Sequence, residues 1–147
     1  MPHFLVTTSP QGLAVQAAVM VSEARRQALT AAGQPIPDPQ RILAILDTGA
    51  SISAVDPTAL TTLGLTATGK ADIVTPSTQG GTVATDTYDV CIGIYAGRPG
   101  DLHFISDTVQ VTSSVLFNGV QALIGTDILK NCILTYNGAD DCFSLAW

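Results

Sequence analysis

A carboxylate sits at the end of an apolar run: Ile42, Leu43, Ala44 and Ile45 lead into Leu46-Asp47-Thr48-Gly49-Ala50-Ser51. A buried strand that ends in an acid, a hydroxyl residue and a glycine delivers that acid to a loop whose backbone can adopt angles closed to other residues. An acid placed there suits general acid–base work on a bound water. Two such carboxylates facing one water can hydrolyse a peptide bond without a metal or a nucleophilic side chain. The ionised one takes the water's proton, and the protonated one hydrogen-bonds the scissile carbonyl as negative charge develops on its oxygen. Two like charges so close resist joint ionisation, so the pair shares a proton. This chain carries one such loop, because Asp86-Thr87-Tyr88 and Asp107-Thr108-Val109 lack the glycine. The second carboxylate is therefore expected from a second copy across a two-fold axis. The chemistry calls for no cofactor and no metal.

The elements that must position Asp47 read mostly as strands. Phe4 to Val6 and Leu13 to Val21 flank the turn cluster Ser9-Pro10-Gln11-Gly12 and predict an N-terminal hairpin. Ser22 offers an N-cap to EARRQALTAA, Gly33 ends that helix, and Pro35, Pro37 and Pro39 stiffen the stretch up to Gln40. Residues 22–40 are thus an inserted helix and Pro-rich connection. Behind the loop, Asp56 as N-cap, Pro57 at the first helical position and Gly64 at the end frame a compact helix. Strands are expected at Ala71 to Thr75 and Thr82 to Ala96, a long hairpin tipped by Pro76-Ser77-Thr78-Gln79-Gly80-Gly81. Further strands are expected at Leu102 to Ile105 and Thr108 to Val115, then a helical turn at Asp127 to Asn131 and a strand at Asn131 to Tyr136. The Asn137-Gly138 turn leads to a last strand in which Phe143, Leu145 and Trp147 share one face. Short strands with two short helices predict a mostly β domain, a closed or nearly closed barrel spanning residues 1–147.

Composition narrows the partners. At 147 residues the chain can bury a core without cross-links. Hydrophobic residues are 46% and charged ones 12%, so part of the surface must be neutral, and self-association is a reasonable expectation. A net charge of -6 repels phosphate backbones and anionic lipid, which argues against nucleic acid and membrane partners. The start MPHFLVTTSP has no basic segment followed by a long apolar one, and a cytoplasmic location is expected. Cys91, Cys132 and Cys142 share no metal-type spacing and read as buried reduced thiols.

Leu46 to Ser51 and the later run Leu123-Ile124-Gly125 together resemble the retropepsin-type aspartic peptidases, the single-lobe relatives of pepsin, with a cellular, bacterial branch as the nearer match. The resemblance extends in order of elements from about Arg41 to Trp147. It implies a retropepsin-like acid-protease barrel with a flap, and a homodimeric endopeptidase acting on an extended peptide or protein substrate. It implies Asp47 as the catalytic acid, Thr48 bonding across the dimer axis and Gly49 turning the backbone beneath the substrate. Ala50 and Ser51 would meet the peptide. Leu123-Ile124-Gly125 would thread the wide loop that carries Asp47, and the Thr75 to Thr82 tip, with Gln79, Gly80 and Gly81, would close over substrate. The terminal strands, through Phe143, Leu145 and Trp147, would contribute to the dimer interface. Viral members carry an Arg after the glycine matching Gly125, paired with an Asp after the alanine matching Ala50. Here those positions are Thr126 and Ser51, so that ion pair is absent and Asp127 is left to make a different local contact.

Plainer readings stand beside these. Asp-Thr-Gly also occurs in ordinary turns, where Asp bonds nearby backbone and Gly permits positive φ. Gly64 to Lys70 has the glycine and lysine spacing of a phosphate loop, but Ala71 takes the required hydroxyl position and the segment comes after a helix. His3 and His103 read as structural. The alternative function is a dimerisation or peptide-binding module that retains the fold without cleaving.

Overall fold

The computed structural model describes residues 1–75, 79–95 and 103–147. In chain order the elements are β1 (His3–Thr7), β2 (Ala14–Val21), α1 (Glu23–Ala31), β3 (Gln40–Leu46), β4 (Ala54–Val55), α2 (Pro57–Thr62) and β5 (Gly69–Ile73). They continue with β6 (Val83–Tyr95), β7 (His103–Ile105), β8 (Val109–Ser113), β9 (Ala122–Ile124), α3 (Thr126–Leu129), β10 (Ile133–Asn137) and β11 (Cys142–Ala146).

Six strands close on themselves in the order β2-β3-β9-β4-β8-β6, because β6 pairs back onto β2 from Gln16↔Tyr95 to Val21↔Val90. The predicted barrel is therefore present. Closure removes the open edges that an apolar sheet would otherwise expose. Its interior is built from alternate residues: Val19, Ala44, Val55, Val90, Ile92, Ile94, Val111, Ala122 and Ile124 are all fully buried. Ala44 and Ala122 face each other in register on the parallel pair β3–β9, and small side chains there let the strands beside the Asp47 loop lie close to the core.

The N-terminal hairpin is not formed. Its turn exists, with Ser9 and Gly12 exchanging backbone hydrogen bonds at 3.0 and 2.8 Å and Gly12 at φ 103°. Its two arms part into different sheets. β1 pairs with β11, and β2 pairs with β3 and β6. Local alternation marked both strands correctly, but partner choice is set by burial: Phe4 joins Phe143 and Leu145 under a separate sheet of order β1-β11-β10. That sheet buries most of the terminal face within the protomer. Phe143 and Leu145 are 1% and 0% exposed inside the protomer, and Trp147 packs on Phe4 and Phe104 at 5.8 and 6.1 Å between ring centres. Phe143 and Leu145 are core side chains, while Trp147 is half-buried at the edge of that core.

The helices obey their end signals. Ser22 Oγ accepts from Arg25 N at 3.2 Å and Asp56 Oδ1 from Thr58 N at 2.8 Å, each satisfying an otherwise orphaned first-turn N–H. Gly33 and Gly64 end α1 and α2 at φ 65° and 64°, and Gln34 N and Leu65 N reach back to the carbonyls of Leu29 and Leu60. The Asn137-Gly138 dipeptide does not make the tight two-residue turn. Asn137 Oδ1 accepts from Ala139 N and Asp140 N, and the positive φ falls on Asp141 at 47°, so the connection is a longer loop held by the Asn side chain.

Candidate active site

β3 carries its apolar residues inward to Leu46 and then releases Asp47 into an irregular loop that returns to the sheet at β4. Between these two strands lies β9, parallel to β3 through Ala44↔Ala122, Ile45↔Leu123 and Leu46↔Ile124, and antiparallel to β4 through Ala54↔Leu123. The Leu123-Ile124-Gly125 run thus threads the loop that holds Asp47, as expected. Two neighbours on either side fix the loop's ends, while its tip is free of the ladder.

Asp47 is half-buried, and its N–H donates to the Ile124 carbonyl at 2.9 Å. Its Oδ1 accepts from Gly49 N at 2.8 Å. Among the described residues no hydrogen bond within the chain reaches Oδ2, nor the exposed Thr48 hydroxyl. Gly49 does not have positive φ, which corrects the expectation of special backbone angles. The glycine is needed for space instead: a Cβ there would stand 3.2 Å from Asp47 Oδ1, crowding the carboxylate that its N–H supports.

Beneath the loop lies a polar cluster that the sequence indicated only in part. Ser53, fully buried, donates from N to Asp127 Oδ2 at 2.8 Å and from Oγ to Asp127 Oδ1 at 2.7 Å, and its Oγ accepts from Gly125 N at 2.9 Å. Asp127 Oδ1 also accepts from Ile128 N at 3.0 Å. Thr126 donates from N and from Oγ1 to the Ala50 carbonyl at 2.8 and 3.2 Å. Gly125 is required by this approach: a Cβ would meet Ala50 O at 2.7 Å. The different contact left to Asp127 is therefore the one to Ser53. Ser53 itself went unread because a serine between Ile52 and Ala54 carries no signal until Asp127, far along the chain, is folded against it.

The expected site residues are brought together only in part. Asp47, Thr48, Gly49, Ala50 and Ser51 share the loop. Gln79, Gly80 and Gly81 lie exposed at the end of a ribbon formed by β5 and the first part of β6, which stands off the barrel because residues 83–86 pair with β5 alone. Gln79 and Gly80 take φ 35° and 84°, a tight reversal. Pro76, Ser77 and Thr78 of the expected tip lie outside the described residues. Among the described residues no hydrogen bond joins Gln79, Gly80 or Gly81 to the Asp47 loop. A second group was not anticipated: Val115 and Phe117 are 80% and 71% exposed on the β8–β9 connection. That connection is bonded to both flanks of the Asp47 loop, Ser114 N to Val55 O at 3.0 Å and Gln121 N to Leu43 O at 2.8 Å.

Other acids and thiols are spent elsewhere. Asp86 faces Lys70 Nζ at 3.3 Å on the exposed ribbon. Glu23 lies below its ordinary range because Arg26 and then Gln27 donate to it on exposed α1. The three cysteines are free and half-buried rather than buried, and burial pushes the Cys132 thiol up. Among the described residues no His, Cys, Asp or Glu cluster could hold a metal, and no helix is long and apolar enough to cross a membrane.

No family model and no curated protein matches the chain. Among solved structures it is similar to a retropepsin-like aspartic protease from Rickettsia conorii, with a TM-score of 0.57 and 14% identity over 99% of this chain and 91% of that one. At that identity the likeness is one of fold. The architecture is the mostly β, retropepsin-like one, and its threaded loop is where Asp47 lies.

Proposed function

We propose that the protein is a homodimeric aspartic endopeptidase in which two copies of Asp47 hold one water. The observation that carries this reading is the Asp47 carboxylate itself. It sits on a braced loop of a retropepsin-like fold, with one oxygen held by Gly49 N and the other without a partner among the described residues. The bond to Gly49 N is one that a structural turn aspartate also makes, as Asp56 does to Thr58 N at 2.8 Å, so the reading rests on the place of Asp47 in the threaded loop together with its free oxygen. Here half of the group is left for a water or a facing carboxylate.

In the dimer one Asp47 takes a proton from the water as the resulting hydroxide adds to the scissile carbonyl carbon. The other, protonated, hydrogen-bonds the carbonyl oxygen as it becomes an oxyanion. Collapse of the tetrahedral intermediate breaks the C–N bond, and the amine leaves with the proton first taken from water. Thr48, exposed beside the axis, bonds to the partner loop. Gln79, Gly80 and Gly81 close over the peptide, excluding water, while Ala50 and Ser51 meet its backbone. Val115 and Phe117 offer apolar walls for substrate side chains. The substrate is an extended segment of a peptide or protein within the cytoplasm.

The test is a dimer joined by a linker with Asp47→Asn in one half only. Hydrolysis should fall at least about 100-fold, close to the loss with both halves changed, because base and acid act as one unit. Full activity in the half-substituted dimer would reject the dyad. Peptide binding by wild type without any cleavage would leave the non-catalytic binding module as the function.

A further inference from the structure

We infer that Ser53, Thr126 and Asp127 are positioning residues that set the Asp47 loop within a single protomer, before any partner arrives; the consequence for turnover rests on the peptidase reading above. The chain of contacts is continuous. Asp47 is tied to β9 through its N–H on Ile124 O, and its carbonyl accepts from Ala50 N at 3.3 Å. Ala50 O takes both donors of Thr126. Thr126 opens α3, and the first turn of α3 is held by Asp127 on Ile128 N and on Ser53. Gly125 N on Ser53 Oγ closes the circuit.

Each member uses nearly all of its bonding capacity on the others. Ser53 Oγ donates once and accepts once, and Asp127 uses both oxygens. The carboxylate cannot be replaced by an amide without loss. With Asn at 127, one orientation faces an NH2 to Ser53 N, and the other faces it to Ile128 N, so one pair of donors always meets. Such a closed arrangement around the buried Ser53 and Gly125 favours one geometry, since a shift leaves a polar atom there unpaired. It lies wholly inside one chain, so the reactive loop does not wait on dimerisation to take shape.

Three variants test this. Ser53→Ala removes the bridge, Thr126→Val removes an exposed hydroxyl without threatening the fold, and Thr126→Ser restores that hydroxyl. At protein concentrations that saturate dimer formation, Ser53→Ala should lower kcat by about tenfold or more with KM nearly unchanged, since the loss is one of alignment. Thr126→Val should show a smaller loss, which Thr126→Ser recovers. Hydrogen exchange is measured in parallel at dilution, where the chain is monomeric. The Gly125, Thr126 and Ala50 amides should be protected in wild type and in Asp47→Asn, and exposed in Ser53→Ala. Protection that develops only in the dimer, or unchanged kcat in Ser53→Ala, would overturn the proposal. If wild type cleaves nothing but the monomer shows the protected amides, the peptidase reading fails and the positioning role stands.

Discussion

Gly125→Ala isolates the closest packing in the site. Gly125 sits at φ -88° and ψ -176°, extended angles that alanine adopts freely, so backbone strain does not enter. The added methyl would meet Ala50 O at 2.7 Å, Asp127 Oδ1 at 3.1 Å and Ile52 C at 3.2 Å. Two of these are backbone atoms. To reach ordinary contact at 3.4 Å the carbonyl must retreat by about 0.7 Å, and that carbonyl accepts both Thr126 bonds. Overpacking of this kind costs about 1–3 kcal/mol, and each weakened hydrogen bond up to about 1 kcal/mol more. Stiffening of the unfolded chain offsets about 0.4–1 kcal/mol. The net is a destabilisation centred near about 2 kcal/mol and at most about 4–5 kcal/mol, which for a domain of this length lowers Tm by roughly 6 °C at the centre of that range. Thermal unfolding at fixed protein concentration measures it, with peptide hydrolysis alongside. Gly49→Ala is the control, because its methyl meets only the side-chain oxygen of Asp47, at 3.2 Å. It should spare Tm while lowering turnover. A Gly125→Ala protein that melts at or above the wild-type temperature would refute the reasoning, since only the unfolded-chain term would then be acting.

Gly80→Val places a β-branched residue at φ 84° on the ribbon tip, where it should lower turnover with little change in Tm, as measured by hydrolysis rate and calorimetry; unchanged turnover would place the closing segment elsewhere. Leu145→Ala should cost about 2–5 kcal/mol, and the fall in Tm should not depend on protein concentration, because Leu145 is 0% exposed within the protomer; a concentration-dependent cost would return that face to the interface. Burial raises the Cys132 thiol, so its neutral form is favoured in the fold. The stability it lends is present below the ordinary thiol range and lost as pH rises through the raised value. Alkylation of Cys132 in mildly alkaline buffer should therefore run slower in the folded protein than in urea, as peptide mass mapping would report.

What the sequence determined was local. Alternation marked nearly every strand, Ser22, Asp56, Gly33 and Gly64 marked helix ends, and Leu46 to Ser51 with Leu123 to Gly125 marked the Asp47 loop and the strand that threads it. These signals are legible because each depends on a residue and its near neighbours. Strand β4 went unread, since Ala54 and Val55 become a strand only through β8 and β9 on either side. Partner choice was likewise beyond local pattern: β1 leaves β2 for β11, because an apolar face pairs with whatever completes its burial, however distant in the chain. The reason for Gly49, close approach rather than positive φ, and the joining of Ser53 to Asp127 were decided by tertiary structure alone. Contacts between residues more than seventy positions apart leave no periodicity in a sequence, and only packing brings them within hydrogen-bond distance.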